Sequence, residues 1–183
     1  MASPYFTLLV EDTAHKLVLY RLLKHWGVSE GRIRTIAFPN GKGSGEQHVR
    51  LKLPAYLREV RRASSSKFLG VMIDADTGTV LARRQQLDAS CEGEKERAAA
   101  AADPAVVLIP RRHIETWIEF FGTGQASETT DCKHAYDDKI AAVARRFAQE
   151  LDNWLVQPAS SPVPASLAAA HGELLRFRDA AKS

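Results

Sequence analysis

FLGVMIDADTG, residues 68–78, decides how this chain is read. A run that is apolar on both alternations, Phe68–Leu69–Gly70–Val71–Met72–Ile73, stops on two aspartates, Asp74 and Asp76, one residue apart. Such a run predicts a strand buried on both faces of a parallel sheet. Acids at its end then lie at the carboxyl edge of the sheet, the usual ligand crevice of open α/β folds. In an extended Asp-x-Asp both side chains point the same way, because side chains alternate with period two. Two carboxylates so placed repel each other unless a cation lies between them, and a hard divalent ion, Mg²⁺ above all, is the usual partner. The competing reading makes Asp74 a helix cap and Asp-Thr-Gly a turn.

Outward from this stretch, strands and helices alternate. Residues 5–10 (YFTLLV) are a second continuous apolar run, ending on Glu11 and Asp12, followed by a helical pattern over 13–26 that Gly27 stops. Residues 32–38 predict a short strand. The loop 41–45 (GKGSG) leads into a helix over 47–63, in which Pro54 predicts a kink or break. A helix is expected over 79–89, a polar stretch without clear shape over 90–103, and a fourth strand at 105–109 (AVVLI). Further helices follow over 113–121, 137–155 and 166–181. The 137–155 helix is expected to pack on the sheet through Ile140, Val143, Phe147 and Leu151, with Arg145 and Arg146 exposed. The fold class is therefore α/β, a mostly parallel four-stranded sheet flanked by helices, with a C-terminal helical extension. The expected division is a domain over 1–157, then a linker and C-terminal helix over 158–183.

At 183 residues, 45% hydrophobic and 26% charged, the chain has the composition of a globular domain with a sizeable core. The net charge of +3 permits a polyanionic partner without requiring one. The arginine pairs and triples (Arg58, Arg61, Arg62; Arg83, Arg84; Arg111, Arg112; Arg145, Arg146) read first as solvated helix faces. Cys91 and Cys132 form no CxxC pair, which predicts neither a disulfide framework nor a zinc site and fits a reducing compartment. No signal-peptide pattern and no apolar run of membrane-spanning length stand in the sequence, so a cytoplasmic protein without membrane contact is expected. The GKGSG loop lacks the GxxxxGK[ST] spacing of a P-loop and reads instead as a loop that approaches nucleic acid through Lys42.

Parallel neighbours deliver their carboxyl ends to one edge, so Glu11, Asp74 and Asp76 are expected to converge, with Glu115 reaching the same edge from the turn after the fourth strand. Three or four carboxylates at one edge suit one or two Mg²⁺ ions held against a phosphate. A strand ending in Glu, then a strand ending in Asp-x-Asp on a compact four-stranded core, resembles the Toprim domain of topoisomerases, bacterial primases and small nucleases. The resemblance covers roughly residues 5–109. The segment IPRRHIETW, 109–117, is similar to the corresponding stretch of small standalone Toprim-like proteins of the overcoming-lysogenization-defect type in bacterial defence loci. In those, an acid in such a helix follows the last core strand and a later lysine completes the site, which would be Lys133 here. Two departures stand out: Asp12 occupies the place of the usual glycine after the Glu, and His15 stands where the nucleases often carry another acid.

The resemblance implies a Mg²⁺- or Mn²⁺-dependent nuclease cutting a phosphodiester in DNA or RNA. Glu11, Asp74 and Asp76 would hold metal, with Glu11, Glu115 and Lys133 catalytic. Lys42, Arg111, Arg112 and His113 would contact nucleic acid, although His113 also reads as a local helix cap. It further implies an antiviral effector gated by an ABC- or SMC-like ATPase; a homodimer is allowed. The alternatives are a non-catalytic Toprim-like subunit that scaffolds such an ATPase, and a receiver domain phosphorylated at Asp74. On the two-carboxylate reading, a metal-free Asp74→Ala protein can gain stability as repulsion falls.

Overall fold

In the computed structural model of the protein, which describes residues 4–36, 38, 44–63, 66–133, 135–136, 139–158 and 162–183, the apolar runs form a four-stranded sheet. The strands are β1 (Tyr5–Val10), β2 (Ile33–Ile36), β3 (Lys67–Met72) and β4 (Ala105–Leu108). Their order is β2-β1-β3-β4 and every pairing is parallel. Helices α1 (Thr13–His25), α2 (Gly45–Arg62) and α3 (Val80–Gly93) make the crossovers, and α4 (Ile114–Thr123), α5 (Ile140–Val156) and α6 (Ala165–Lys182) follow the sheet. The α/β reading, with a four-stranded parallel core flanked by helices, is what the structure shows.

Strand alternation divides the core in two. Phe6, Leu8 and Val10 of β1, Phe68 and Met72 of β3, and Val106 and Leu108 of β4 face the side covered by α1, α4 and α6. Leu9, Leu69, Val71, Ile73, Val107 and Ile109 face α2 and α3 on the other side. With about 25 cal/mol for each Å² of apolar surface removed from water, both faces contribute and neither can be turned to solvent.

Three expectations on the elements are corrected. Pro54 neither breaks nor ends α2, which runs through it as one helix with the proline buried. Phe147 and Leu151 of the α5 stripe are buried, Ile140 and Val143 are half-buried, and Arg145 and Arg146 are exposed as expected, but the stripe packs chiefly on α1 and α4. The sheet on that side is covered by α1 and, over β4, by α6. Phe177 of α6 stacks edge-on against Phe6 with centroids 5.7 Å apart and lies over Phe68 at 5.9 Å. A methyl group at Gly70 would sit 3.1 Å from the Phe177 ring, so β3 is bare where the aromatic lands. The expected C-terminal helix, residues 165–182, thus shares the core of the strands and helices before it. The third correction concerns charge: Arg83 is buried, and Arg61 joins α2 to the 96–103 loop through Glu96 and Asp103, so neither is a solvated helix face.

Among the described residues no helix is long and apolar enough to cross a membrane.

Candidate metal and phosphate site

β1 has β2 on one side and β3 on the other, reached by crossovers in opposite directions, which makes the β1/β3 carboxyl edge the topological switch point of this sheet. Glu11 and Asp74 stand one and two residues past the ends of those two strands. They meet there: Asp74 N–H donates to Glu11 Oε2 at 3.1 Å. The third member of the group is His15, one turn into α1 and fully buried. Glu11, His15 and Asp74 each offer one ligand atom, and these atoms all lie within 4.8 Å of one another.

Asp12 shows why His15 points inward. It is the N-cap of α1, accepting the backbone N–H of His15 at 3.0 Å, and the same Oδ1 lies 2.9 Å from His15 Nδ1. The opposite ring nitrogen, Nε2, is 2.9 Å from Asp74 Oδ1. Burial works against charge on this imidazole, but Asp74 and Asp12 outweigh it and hold its pKa well above the ordinary 6.5. Burial would likewise raise Asp74; the charge of His15, its hydrogen bond to Asp74 and the nearby His113 ring keep it below the ordinary carboxylate range. Glu11 goes the other way: burial raises it, and the repulsion of Asp74 and Asp76 adds to that against the pull of His15.

The loop after β4 closes the site from the other side. His113 occupies the N-cap position of α4 without capping it by its side chain. Instead Nδ1 lies 3.6 Å from Asp74 Oδ2 and Nε2 lies 3.2 Å from Asp131 Oδ1. Neither nitrogen meets hydrogen-bond geometry, and the side chain is 93% shielded from solvent. Glu115, in the first turn of α4, is buried and its carboxyl is raised mainly by that burial, with Asp74 adding to the rise. Lys133 is exposed; its backbone N–H donates to Asp131 Oδ1, and its charge is felt by His113. Arg112 is half-buried with Nη2 3.5 Å from Asp131 Oδ2, and Arg111 is half-buried beside it. Lys42 lies outside the described residues, but the end of its loop does not. Ser44 caps α2, and a Cβ on Gly45 would stand 2.2 Å from the Glu11 carbonyl, so α2 begins against the backbone of Glu11.

Asp76 departs from its expected place. The extended geometry ends before it: β3 stops at Met72, and Asp76 has a left-handed backbone (φ +53°) bridged to Arg112, itself at φ +64°. Its Oδ2 accepts from Arg83 Nη2 at 2.9 Å, while Arg83 also pairs with Glu46 of α2. Asp76 is therefore not in the group whose ligand atoms converge, although its charge still reaches Glu11. His15 and Arg83 are the residues of this edge that sequence reasoning passed over. The signal for His15 was its position one helical turn after a strand-end Glu, where it was read as a departure. Arg83 gave none beyond its neighbour Arg84.

The donor set fits a divalent cation. Ligand atoms on one ion with bonds of about 2.1 Å are roughly 3 to 4.2 Å apart, so a spread of 4.8 Å closes with small side-chain movements. An apolar groove of about 460 Å³ between α4 and α5, lined by Ile118, Phe121, Val143 and Phe147, shares no residue with this site. No family model, no curated protein and no solved structure matches the chain.

Proposed function

We propose that the chain is a divalent-metal-dependent phosphodiesterase acting on nucleic acid, the nuclease subunit of a system whose ATPase partner gates it. The observation that supports this is the convergence of Glu11, His15 and Asp74 at the switch point of a parallel sheet, with basic groups of the β4–α4 loop alongside. A bound Mg²⁺ or Mn²⁺ would supply positive charge to the scissile phosphate and acidify water. Asp74 and Glu11 would hold it, with Asp76 released from Arg83 as a further acid. The chain's own groups have separable tasks. Glu11, whose carboxyl is raised, can take up or return a proton at its oxygen. Glu115, buried and also raised, can orient the attacking water or serve as a further acid. Lys133, exposed, and Arg112, half-buried beside Asp131, would balance the charge that develops on the scissile phosphate. Arg111 and Lys42 would extend that contact along the strand. The ATPase partner and the antiviral setting rest on the Toprim-like motifs alone.

A second reading has its own support. His15 already neutralises Asp74, and Arg83 already neutralises Asp76, so the edge is internally compensated without a metal. That arrangement suits a non-catalytic subunit whose acids have become structural. The two are separated by cleavage of single- and double-stranded DNA and RNA with Mg²⁺ or Mn²⁺, alone and with the partner ATPase. Metal-dependent cleavage that Asp74→Ala abolishes while the circular dichroism spectrum is kept is the expected result. Wild-type cleavage by Asp74→Ala would overturn the role of Asp74, and no cleavage under any of these conditions leaves the scaffold reading.

A further inference from the structure

We propose that this edge is a mixed imidazole–carboxylate metal centre, with His15 and His113 as ligands beside Glu11 and Asp74, and that it takes a transition-metal dication in preference to Mg²⁺. The inference deepens the metal dependence proposed above and rests on it for its biological use.

Its first support is the placement of the two rings. Asp74 Oδ1 faces His15 Nε2 at 2.9 Å, and Asp74 Oδ2 faces His113 Nδ1 at 3.6 Å. Both separations fall in or close to the range for neighbouring ligands on one ion, roughly 3 to 4.2 Å. The second support is independent of the acids. His113 is buried, neither of its ring nitrogens has a hydrogen bond, and one of them is directed at Asp74. A buried polar ring left in that condition is destabilising unless something else occupies the nitrogen.

The third support lies behind the rings. His15 Nδ1 stands 2.9 Å from Asp12 Oδ1, and His113 Nε2 stands 3.2 Å from Asp131 Oδ1. Each imidazole thus has a carboxylate on its far nitrogen and the cluster on its near one. These are the groups of a carboxylate–histidine–metal arrangement, in which the outer acid, once it accepts the far N–H, sets the tautomer and orients the ring. Asp12 is rigid in this task because it is also the cap of α1. Asp12 and Asp131 are positioning residues here, and the two histidines are the ligands.

Nitrogen donors discriminate between cations. Mg²⁺ favours oxygen ligands and retains its water, whereas imidazole favours later first-row dications such as Co²⁺ and Zn²⁺. Two imidazoles with two carboxylates is a set made for the latter.

The test uses the whole protein, stripped of metal and titrated with Co²⁺. Proton NMR is expected to show two sets of hyperfine-shifted histidine ring signals. His15→Gln should remove one set, His113→Gln the other, and Asp74→Asn should weaken binding about tenfold or more. A roughly hundredfold excess of Mg²⁺ should leave Co²⁺ in place. Because His15 is fully buried and its variant can fail to fold, the wild-type spectrum decides by itself. Co²⁺ bound without shifted histidine signals and displaced by equimolar Mg²⁺ would overturn the imidazole ligands and leave an oxygen-only metal site standing. If wild type binds neither Co²⁺ nor Mg²⁺, this proposal and the metal dependence on which it rests both fall.

Discussion

His15 keeps its proton inside the protein because two carboxylates surround it, and that has a direction in pH. Its pKa is raised on folding, so its stabilising contribution is whole below the ordinary value of 6.5 and is lost as pH rises through the folded value. Asp74 has a lowered pKa, so its contribution is present above the ordinary 3.8 and is lost as pH falls through the folded value. The metal-free protein should therefore be most stable between these limits and lose stability on the alkaline side. Thermal melts in chelator from about pH 5 to about pH 10 should show that alkaline loss in wild type and a flatter curve in His15→Gln. Equal slopes in both would show that His15 is not the group responsible. The same pair reverses one expectation from the acids alone. Removing Asp74 strips the buried imidazole of its main partner, so metal-free Asp74→Ala should lose stability, by roughly 3 kcal/mol, where relief of repulsion predicted a gain. Glu11 and Asp74 were legible because a strand end is visible as the end of an apolar run. His15, His113 and Arg83 were less so, since which way a helix-borne side chain points depends on partners distant in sequence.

The connections between elements are as informative as their cores. Arg61 of α2 donates through Nε and Nη2 to the two oxygens of Asp103, and Asp103 also accepts the backbone N–H of Ala100. Asp103 is buried and immediately precedes the strand pair that carries β4, so α2 and the approach to β4 are tied across the sheet's amino edge. Asp103→Ala should leave Arg61 without its main acceptor and cost about 3 kcal/mol, measured by chemical denaturation. A change below about 0.5 kcal/mol would mean that the pair is replaceable by water. The segment 90–103 had no readable period because its order comes from this charge network and not from an apolar stripe. The inner part of the α5 stripe, Phe147 and Leu151, is buried, but periodicity states that a face is covered and not what covers it. Here it is α1 and α4 that do so, while α1 and α6 cover the sheet.

For the molecule as a whole, α6 does two jobs. It fills one face of the sheet with Leu167, Leu174 and Phe177, and it binds the free edge of β4. Glu173 accepts the Val107 N–H at 3.2 Å, and Arg176 donates to the carbonyls of Asp103 and Ala105 at 2.7 and 2.8 Å. An edge strand so occupied offers few open backbone groups for another strand to join. A chain ending at residue 158 should consequently fail to give a dispersed NMR spectrum and should aggregate; a well-folded monomer would show that α6 is dispensable. The sequence marked residues 158–164 as a linker by their prolines, which was reasonable, yet a linker says nothing of whether the helix beyond it docks. Trp117 Nε1, donating to Ser166 Oγ at 2.8 Å, is where that docking begins. There is a consequence for synthesis. At about 5–20 residues per second the ribosome needs roughly 4 to 15 seconds to pass from the end of β4 to the end of α6. Throughout that interval the nascent chain carries an open strand edge and a bare aromatic face, so it is a client for chaperones until α6 docks.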